Sequence, residues 1–210
     1  GDSAVVLLAS YPPDRSVLAT CTAIVIAPTV LATAAHCVDA ANHPGYQFGA
    51  FLATDASIYP RLVDLEPHLV AVSEVHAHPS YDPAPPFHAD LAVAILAQPL
   101  SGVTPIELYR GLLAPLVGGP ARIVGYGQET VGQFSTVRRA ATTVVAQIDQ
   151  GDTVTVGDVD HRTCLGDSGG PALVEVGGVE QLLGIDSYGP ADCSQPGHFI
   201  RADLYQPFLD

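Results

Sequence analysis

The sequence predicts an all-β chain of the sandwich or barrel type, and three observations carry that expectation. The apolar residues come in short runs rich in Val, Ile, Leu and Thr. Turn residues separate the runs, with 18 Pro and 20 Gly spread over 210 residues. Only one stretch has a convincing helix-face spacing, and it is short. Strand-length runs bounded by Gly and Pro are the mark of a β-sandwich or barrel.

In chain order, the expected strands are Val5–Ala9, Ala23–Ala27, Val30–Ala34, Leu69–Val72, Leu91–Leu96, Arg122–Tyr126, Ala141–Gln147, Ala172–Val176 and Gln181–Asp186. A helical turn fits near Ala34–Asp39. Asp203–Leu209 sets Leu204, Tyr205, Phe208 and Leu209 on one helix face. Pro207 limits that helix to a turn or two unless it falls in the first turn. Between the strand-rich halves, Gln98–Gly119 carries Pro99, Pro105, Pro115, Gly102, Gly111, Gly118 and Gly119. It reads as a long connection, dividing the chain into units 1–104 and 105–210.

The hydrophobic fraction is 48% and the charged fraction 14%, which supplies a sizeable core and excludes disorder. Net charge is −14, and all 8 basic residues are Arg. No large basic face can be built from them, so nucleic acid is not an expected partner. The acidity also repels anionic membrane surfaces. Val5–Ala9 is far too short to span a bilayer, so no membrane association is expected. The 4 cysteines, Cys21, Cys37, Cys164 and Cys193, lack a C-x-x-C spacing, which disfavours a zinc ribbon. They allow three pairings. Two local pairs, Cys21–Cys37 and Cys164–Cys193, would each close one loop. Disulfides imply an oxidising compartment, so a secreted location, extracellular or periplasmic, is expected.

The chemistry concentrates in Thr163–Pro171, which contains Gly166-Asp167-Ser168-Gly169-Gly170-Pro171. Glycines on both sides of a serine sacrifice packing and raise the entropy lost on folding. A close-approach backbone with one exposed hydroxyl offsets that, as a serine nucleophile with a backbone oxyanion hole requires. A plain glycine-rich turn is the competing reading. A serine needs a base, and His36 in Thr33-Ala34-Ala35-His36-Cys37 has small neighbours that allow close approach. The histidine in turn needs an acceptor. Asp90 heads the apolar run Leu91–Leu96, so it is expected to be part-buried and partnered.

Thr-Ala-Ala-His-Cys, Asp-Leu-Ala-Val and Gly-Asp-Ser-Gly-Gly-Pro, in this order, resemble the signature motifs of the trypsin/chymotrypsin-like serine proteases. Gly125-Tyr126-Gly127, His78-Pro79-x-Tyr81, Ser187-Tyr188-Gly189, Pro196-Gly197 and the terminal helix agree, from about Val5 onward. The resemblance implies two six-stranded antiparallel β-barrels with a short C-terminal helix. Barrel 1–104 would carry His36 and Asp90. Unit 105–210 would carry Ser168 and the specificity pocket. His36 would be general base then acid, Asp90 its orienter and Ser168 the nucleophile, with Gly166 and Ser168 N–H groups as oxyanion hole. Ser187 would support Asp90. Arg162, Thr163, Leu165, Asp186, Ser187, Tyr188 and Gly189 would surround the substrate. Cys21–Cys37 would staple the histidine loop and Cys164–Cys193 would join the serine loop to the pocket wall.

The implied activity is peptide-bond hydrolysis through an acyl-enzyme, with a protein or peptide substrate, a protein inhibitor as further partner, and a monomeric state. No cofactor or metal is implied. The alternative is a zymogen-like or non-catalytic binding protein on the same fold. Two departures bear on that choice. Family members begin Ile/Val-Val-Gly-Gly and pair the freed amine with the acid before the serine, here Asp167. This chain begins Gly1-Asp2-Ser3-Ala4-Val5-Val6, and Gly1 reads as several residues short of Asp167. Arg162 stands where the pocket floor is expected and would repel basic side chains, unless Asp186 neutralises it or it turns outward.

Gly-x-Ser-x-Gly also fits an α/β-hydrolase elbow. That fold needs an acid and then a histidine after the serine, and the remaining chain offers only His198 without room for βαβ units. A metal site on the histidines is weaker, since His76 and His78 lack a third ligand. No segment has a calcium-loop spacing.

Overall fold

The computed structural model describes residues 2–210 apart from Pro86, Thr130 and Phe134. Strands β1 (Val5–Tyr11), β2 (Ala19–Ala27), β3 (Val30–Thr33), β4 (Gln47–Phe51), β5 (Val70–Ala77) and β6 (Ala92–Leu96) form a closed barrel in the order β1-β2-β3-β6-β5-β4. After β7 (Glu107–Leu108) come β8 (Pro120–Gly125), β9 (Arg139–Ile148), β10 (Thr153–Val156), β11 (Pro171–Val176), β12 (Val179–Tyr188) and β13 (Gly197–Arg201). These pair as β11-β8-β9-β10-β13-β12, and β11–β12 pairing closes the second six-stranded ring. The two-residue β7 adds to β12 in parallel. Register shifts in several pairs, including Ala172/Leu173 and Asp186/Tyr188, supply the local bends that closing a small barrel needs.

The sequence explains β1 directly. Val6 and Leu8 point into the first barrel's core, with Ala23, Val25 and Leu31. Val5 faces the other way, onto Leu173, Ile185 and Ile200 of the second barrel. Leu7 and Ala9 meet Phe51 and Tyr126. Both faces are covered, so the run is continuous in apolar residues rather than alternating. Burying each such Leu or Val contributes roughly 1.5–3 kcal/mol. The second barrel has its own core around Ile123, Val145, Val154, Leu183 and Phe199.

Three expectations need correction. Strands β4, β10 and β13 read as loop in the sequence, because Gly49, the Gly151/Gly157 flanks and the Pro196-Gly197 start carry turn signals. Neighbouring strands override those local preferences. The strand expected at Leu69–Val72 runs on to Ala77, with the polar Glu74 and His76 pairing with β6 while facing outward and Ser73 at a register shift between Val72 and Glu74. The terminal helix is split into a 3-10 turn at Ala202–Leu204 and an α-helical turn at Gln206–Leu209, with Pro207 in its first turn. The turn expected near Ala34–Asp39 is a 3-10 helix at Ala35–Cys37. Among the described residues, no helix is long and apolar enough to cross a membrane.

Candidate active site

Strand pairing brings His36 and Asp90 together. Strands β3 and β6 run antiparallel with Thr33 opposite Ala92. The chain just past Thr33 and the chain just before Ala92 therefore emerge at the same barrel end. The 3-10 turn after β3 holds His36, and Asp90 stands ahead of β6. Asp90 is 0% exposed. Its Oδ2 lies 2.8 Å from His36 Nδ1 and its Oδ1 accepts the His36 backbone N–H at 2.9 Å. Ser187 Oγ, from the second barrel, donates to Asp90 Oδ2 at 2.5 Å. A carboxylate facing Nδ1 selects the Nδ1–H tautomer and leaves Nε2 as the proton acceptor.

The serine loop is clamped between the barrels. Thr22 of β2 donates its N–H to the Ser168 carbonyl at 2.8 Å and its hydroxyl to the Gly166 carbonyl at 3.0 Å. Gly169 N–H donates to the Asp186 carbonyl and Asp186 N–H to the Gly170 carbonyl, each at 2.8 Å. Gly169 sits at φ +82°, and a Cβ there would strike the Thr22 carbonyl and Thr33 hydroxyl. This position therefore requires glycine on both counts. The N–H groups of Asp167, Gly169 and Gly170 all have protein acceptors. Those of Gly166 and Ser168, on either side of Asp167, donate to none among the described residues, which leaves two free donors at the loop. No hydrogen bond joins Ser168 Oγ to His36 among the described residues, and such bonds are commonly long before substrate binds.

Asp167 points inward, away from that surface. Its Oδ1 accepts Gly127 N–H at 2.8 Å and its Oδ2 accepts Cys164 N–H at 2.9 Å. The carboxylate presses on the Cα of Gly127, where a Cβ would collide with it. Burial pushes its pKa up to about 6, against the opposing pull of the two N–H bonds and of Arg139. Among the described residues it forms no ion pair; Arg139 pairs instead with Glu129 at 3.4 Å. A cleft of about 470 Å³ opens beside it, lined in part by Gly127, Arg139, Arg162 and Asp192. Gly1 lies outside the described residues.

Arg162 is spent on backbone carbonyls: Nε donates to Cys193 and Nη1 to Val159. It makes no ion pair with Asp186, so of the two alternatives read from the sequence the geometry favours an Arg162 turned away from Asp186. Asp186 is 4% exposed, and its Oδ1 accepts the Thr163 hydroxyl at 3.1 Å. Burial raises its carboxyl well above the usual range, and the nearby Asp167 and Asp90 charges add to that, against the Thr163 bond. Gly197 packs directly on this pair, and Gly189 faces Gly197 across the same gap. Leu165 is half exposed.

Both local disulfides form, Cys21–Cys37 and Cys164–Cys193. His36 lies against the first, yet this is no metal site, because both sulfurs are already bonded to each other. Three residues of the site went unread in the sequence. Phe87 stacks on His36 at 6.0 Å and meets Tyr188 edge-on at 5.8 Å. His198 stacks under Tyr188 at 4.6 Å and is tied to Asp149 at 3.0 Å. Asp152 accepts the Ala89 N–H beside Asp90 at 2.8 Å. An aromatic in a proline-rich loop and an acid in a Gly-Asp turn are common surface features, so no local signal marks them.

A family model described as Trypsin matches residues 12–209. The chain belongs to the Trypsin family. Serine protease 56 of Mus musculus is 30% identical over 214 residues, 90% of this chain and 34% of that protein. Transmembrane protease serine 9 of Rattus norvegicus is 31% identical over 204 residues, 85% of this chain and 18% of that protein. The chain thus spans about a third or less of these relatives. Among solved structures, "Structure of GrC" superposes with a TM-score of 0.78 at 19% identity, covering 99% of this chain and 92% of that one, which matches the fold. In Trypsin-family terms the fold is the two-barrel arrangement, with the His36, Asp90 and Ser168 loops meeting where the barrels face each other.

Proposed function

We propose that this Trypsin-family chain is a serine endopeptidase acting on protein or peptide substrates. Ser168 Oγ attacks the scissile carbonyl while His36 Nε2 takes its proton. Asp90 holds the Nδ1–H and stabilises the imidazolium. The N–H groups of Gly166 and Ser168 receive the developing oxyanion. His36 then returns the proton to the leaving amine, and water releases the acyl group by the reverse sequence. The observation that carries this reading is the fully buried Asp90, bonded at once to His36 and to Ser187 of the other barrel. The two disulfides support a secreted location.

A second reading, a latent form on the same scaffold, draws support from Asp167, whose buried carboxyl forms no ion pair among the described residues. Labelling with a serine-directed fluorophosphonate separates the two. Stoichiometric modification at Ser168, absent in Ser168→Ala, is expected of the protease. A folded chain that does not label is the latent form.

A further inference from the structure

We infer that Asp152 is a positioning residue for the Asp90–His36 pair, acting across the barrel interface through the backbone of Ala89. The inference rests on the triad reading above. Asp90 serves His36 and Ser187 together only if the chain entering β6 delivers its carboxyl to one place. The residue before it, Ala89, is fully buried and sits at φ +48°, in the left-handed region that alanine seldom adopts. A tight turn from Leu91 N–H to the Ala89 carbonyl, 2.8 Å, follows at once.

That unusual conformation is held from the other barrel. Asp152, at the head of β10 and 8% exposed, accepts the Ala89 N–H with Oδ2 at 2.8 Å. The same oxygen accepts the Tyr205 hydroxyl of the C-terminal segment at 2.6 Å and lies 3.0 Å from His88 Nδ1. The Asp152 carbonyl accepts Arg201 N–H of β13 at 2.9 Å, which fixes its own main chain. The residue before the triad acid is therefore pinned to the barrel that carries the serine. Asp152 touches neither His36 nor Ser168 by any hydrogen bond. Its effect is to set where Asp90 meets His36, and a small misplacement of such a pair is costly to rate.

The test uses the full chain with Asp152→Ala and Asp152→Asn. The amide oxygen of Asn still accepts the Ala89 N–H and the Tyr205 hydroxyl; Ala accepts neither. Two quantities are read: kcat and KM on a peptide ester, corrected for fluorophosphonate-reactive sites, and the proton resonance of the His36 Nδ1–H held by Asp90. In Asp152→Ala, kcat falls about tenfold or more with KM within about twofold, and the resonance shifts or broadens. Asp152→Asn restores most of both. A folded Asp152→Ala variant with the wild-type resonance overturns the inference, as does an Asn variant as impaired as Ala. Should Asp152→Ala fail to fold, Tyr205→Phe removes one anchor of the carboxylate and moves the same resonance by a smaller amount. No movement there overturns the inference too. Failure of the wild type to label removes the protease reading, while the resonance still decides the role of Asp152.

Discussion

Ser187 of the second barrel donates its hydroxyl to Oδ2 of Asp90 in the first barrel, the oxygen that also faces His36 Nδ1. The acid of the site is thus shared between the barrels rather than owned by one. Ser187→Ala leaves Asp90 buried with one donor fewer. Hydrogen bonds to a charged group are worth roughly 1.5–3 kcal/mol. We expect kcat to fall about tenfold or more with KM little changed. Steady-state kinetics on a peptide ester checks this, and an unaltered kcat would show that Ser187 is a spectator.

Asp167 gives the stability a pH dependence of definite sign. Its folded pKa of about 6 lies above the ordinary 3.8, so the folded chain holds this proton more tightly than the unfolded chain. The contribution is present below about 4 and is lost as pH rises through about 6, amounting to about 3 kcal/mol. Carboxylates held low, such as Asp149, whose burial is outweighed by bonds from His198, Gln147, Thr155 and Thr153, act in the opposite sense at lower pH. Urea unfolding of wild type and Asp167→Asn between pH 4 and 7 isolates the Asp167 part. Parallel curves would sink the assignment.

Substrate choice should depend on Asp186 and not on Arg162. The guanidinium of Arg162 is committed to the carbonyls of Cys193 and Val159, whereas Asp186 with Thr163 lies behind the serine loop against Gly197. A peptide panel with Arg, Asp or Leu before the scissile bond reads this out. Arg162→Ala is expected to change the Arg-to-Asp ratio by less than about twofold. A substrate Arg side chain beside Asp186 would favour the ionised carboxylate that burial disfavours, so Asp186→Asn is expected to lower the ratio about tenfold, or about 1.4 kcal/mol. A large effect of Arg162→Ala with none from Asp186→Asn would restore the floor role that the sequence suggests.

Tyr81 carries a buried hydroxyl with no hydrogen-bond partner among the described residues. Burial, then the charges of Asp90, Asp39 and Asp82, push its pKa up to about 12. Tyr81→Phe removes the unsatisfied group while keeping the ring on the first barrel's core. Stability should rise by about 1 kcal/mol, seen as a higher urea midpoint with an unchanged slope. A loss of stability would mean that the hydroxyl has a partner in solution.

Read alone, the sequence determined the fold class and the types of group at the site. Short apolar runs rich in Val, Ile and Thr, bounded by Pro and Gly, favour a β-rich core over helices. The glycine-flanked Ser168, the histidine beside Cys37 and the acid heading an apolar strand are each ambiguous alone, and only the three motifs taken together in this order point to a serine-protease site. Strands β4, β10 and β13 were not legible, because their edges carry Gly and Pro and their strand character comes from partners distant in the chain. The tertiary structure alone decided which groups meet. Register between β3 and β6 puts His36 beside Asp90. Packing of one barrel on the other brings Ser187 to Asp90 and Asp152 to Ala89. It also turns Arg162 onto backbone carbonyls and away from Asp186. Side-chain direction, burial and cross-barrel hydrogen bonds are products of three-dimensional closure, and no local stretch of residues encodes them.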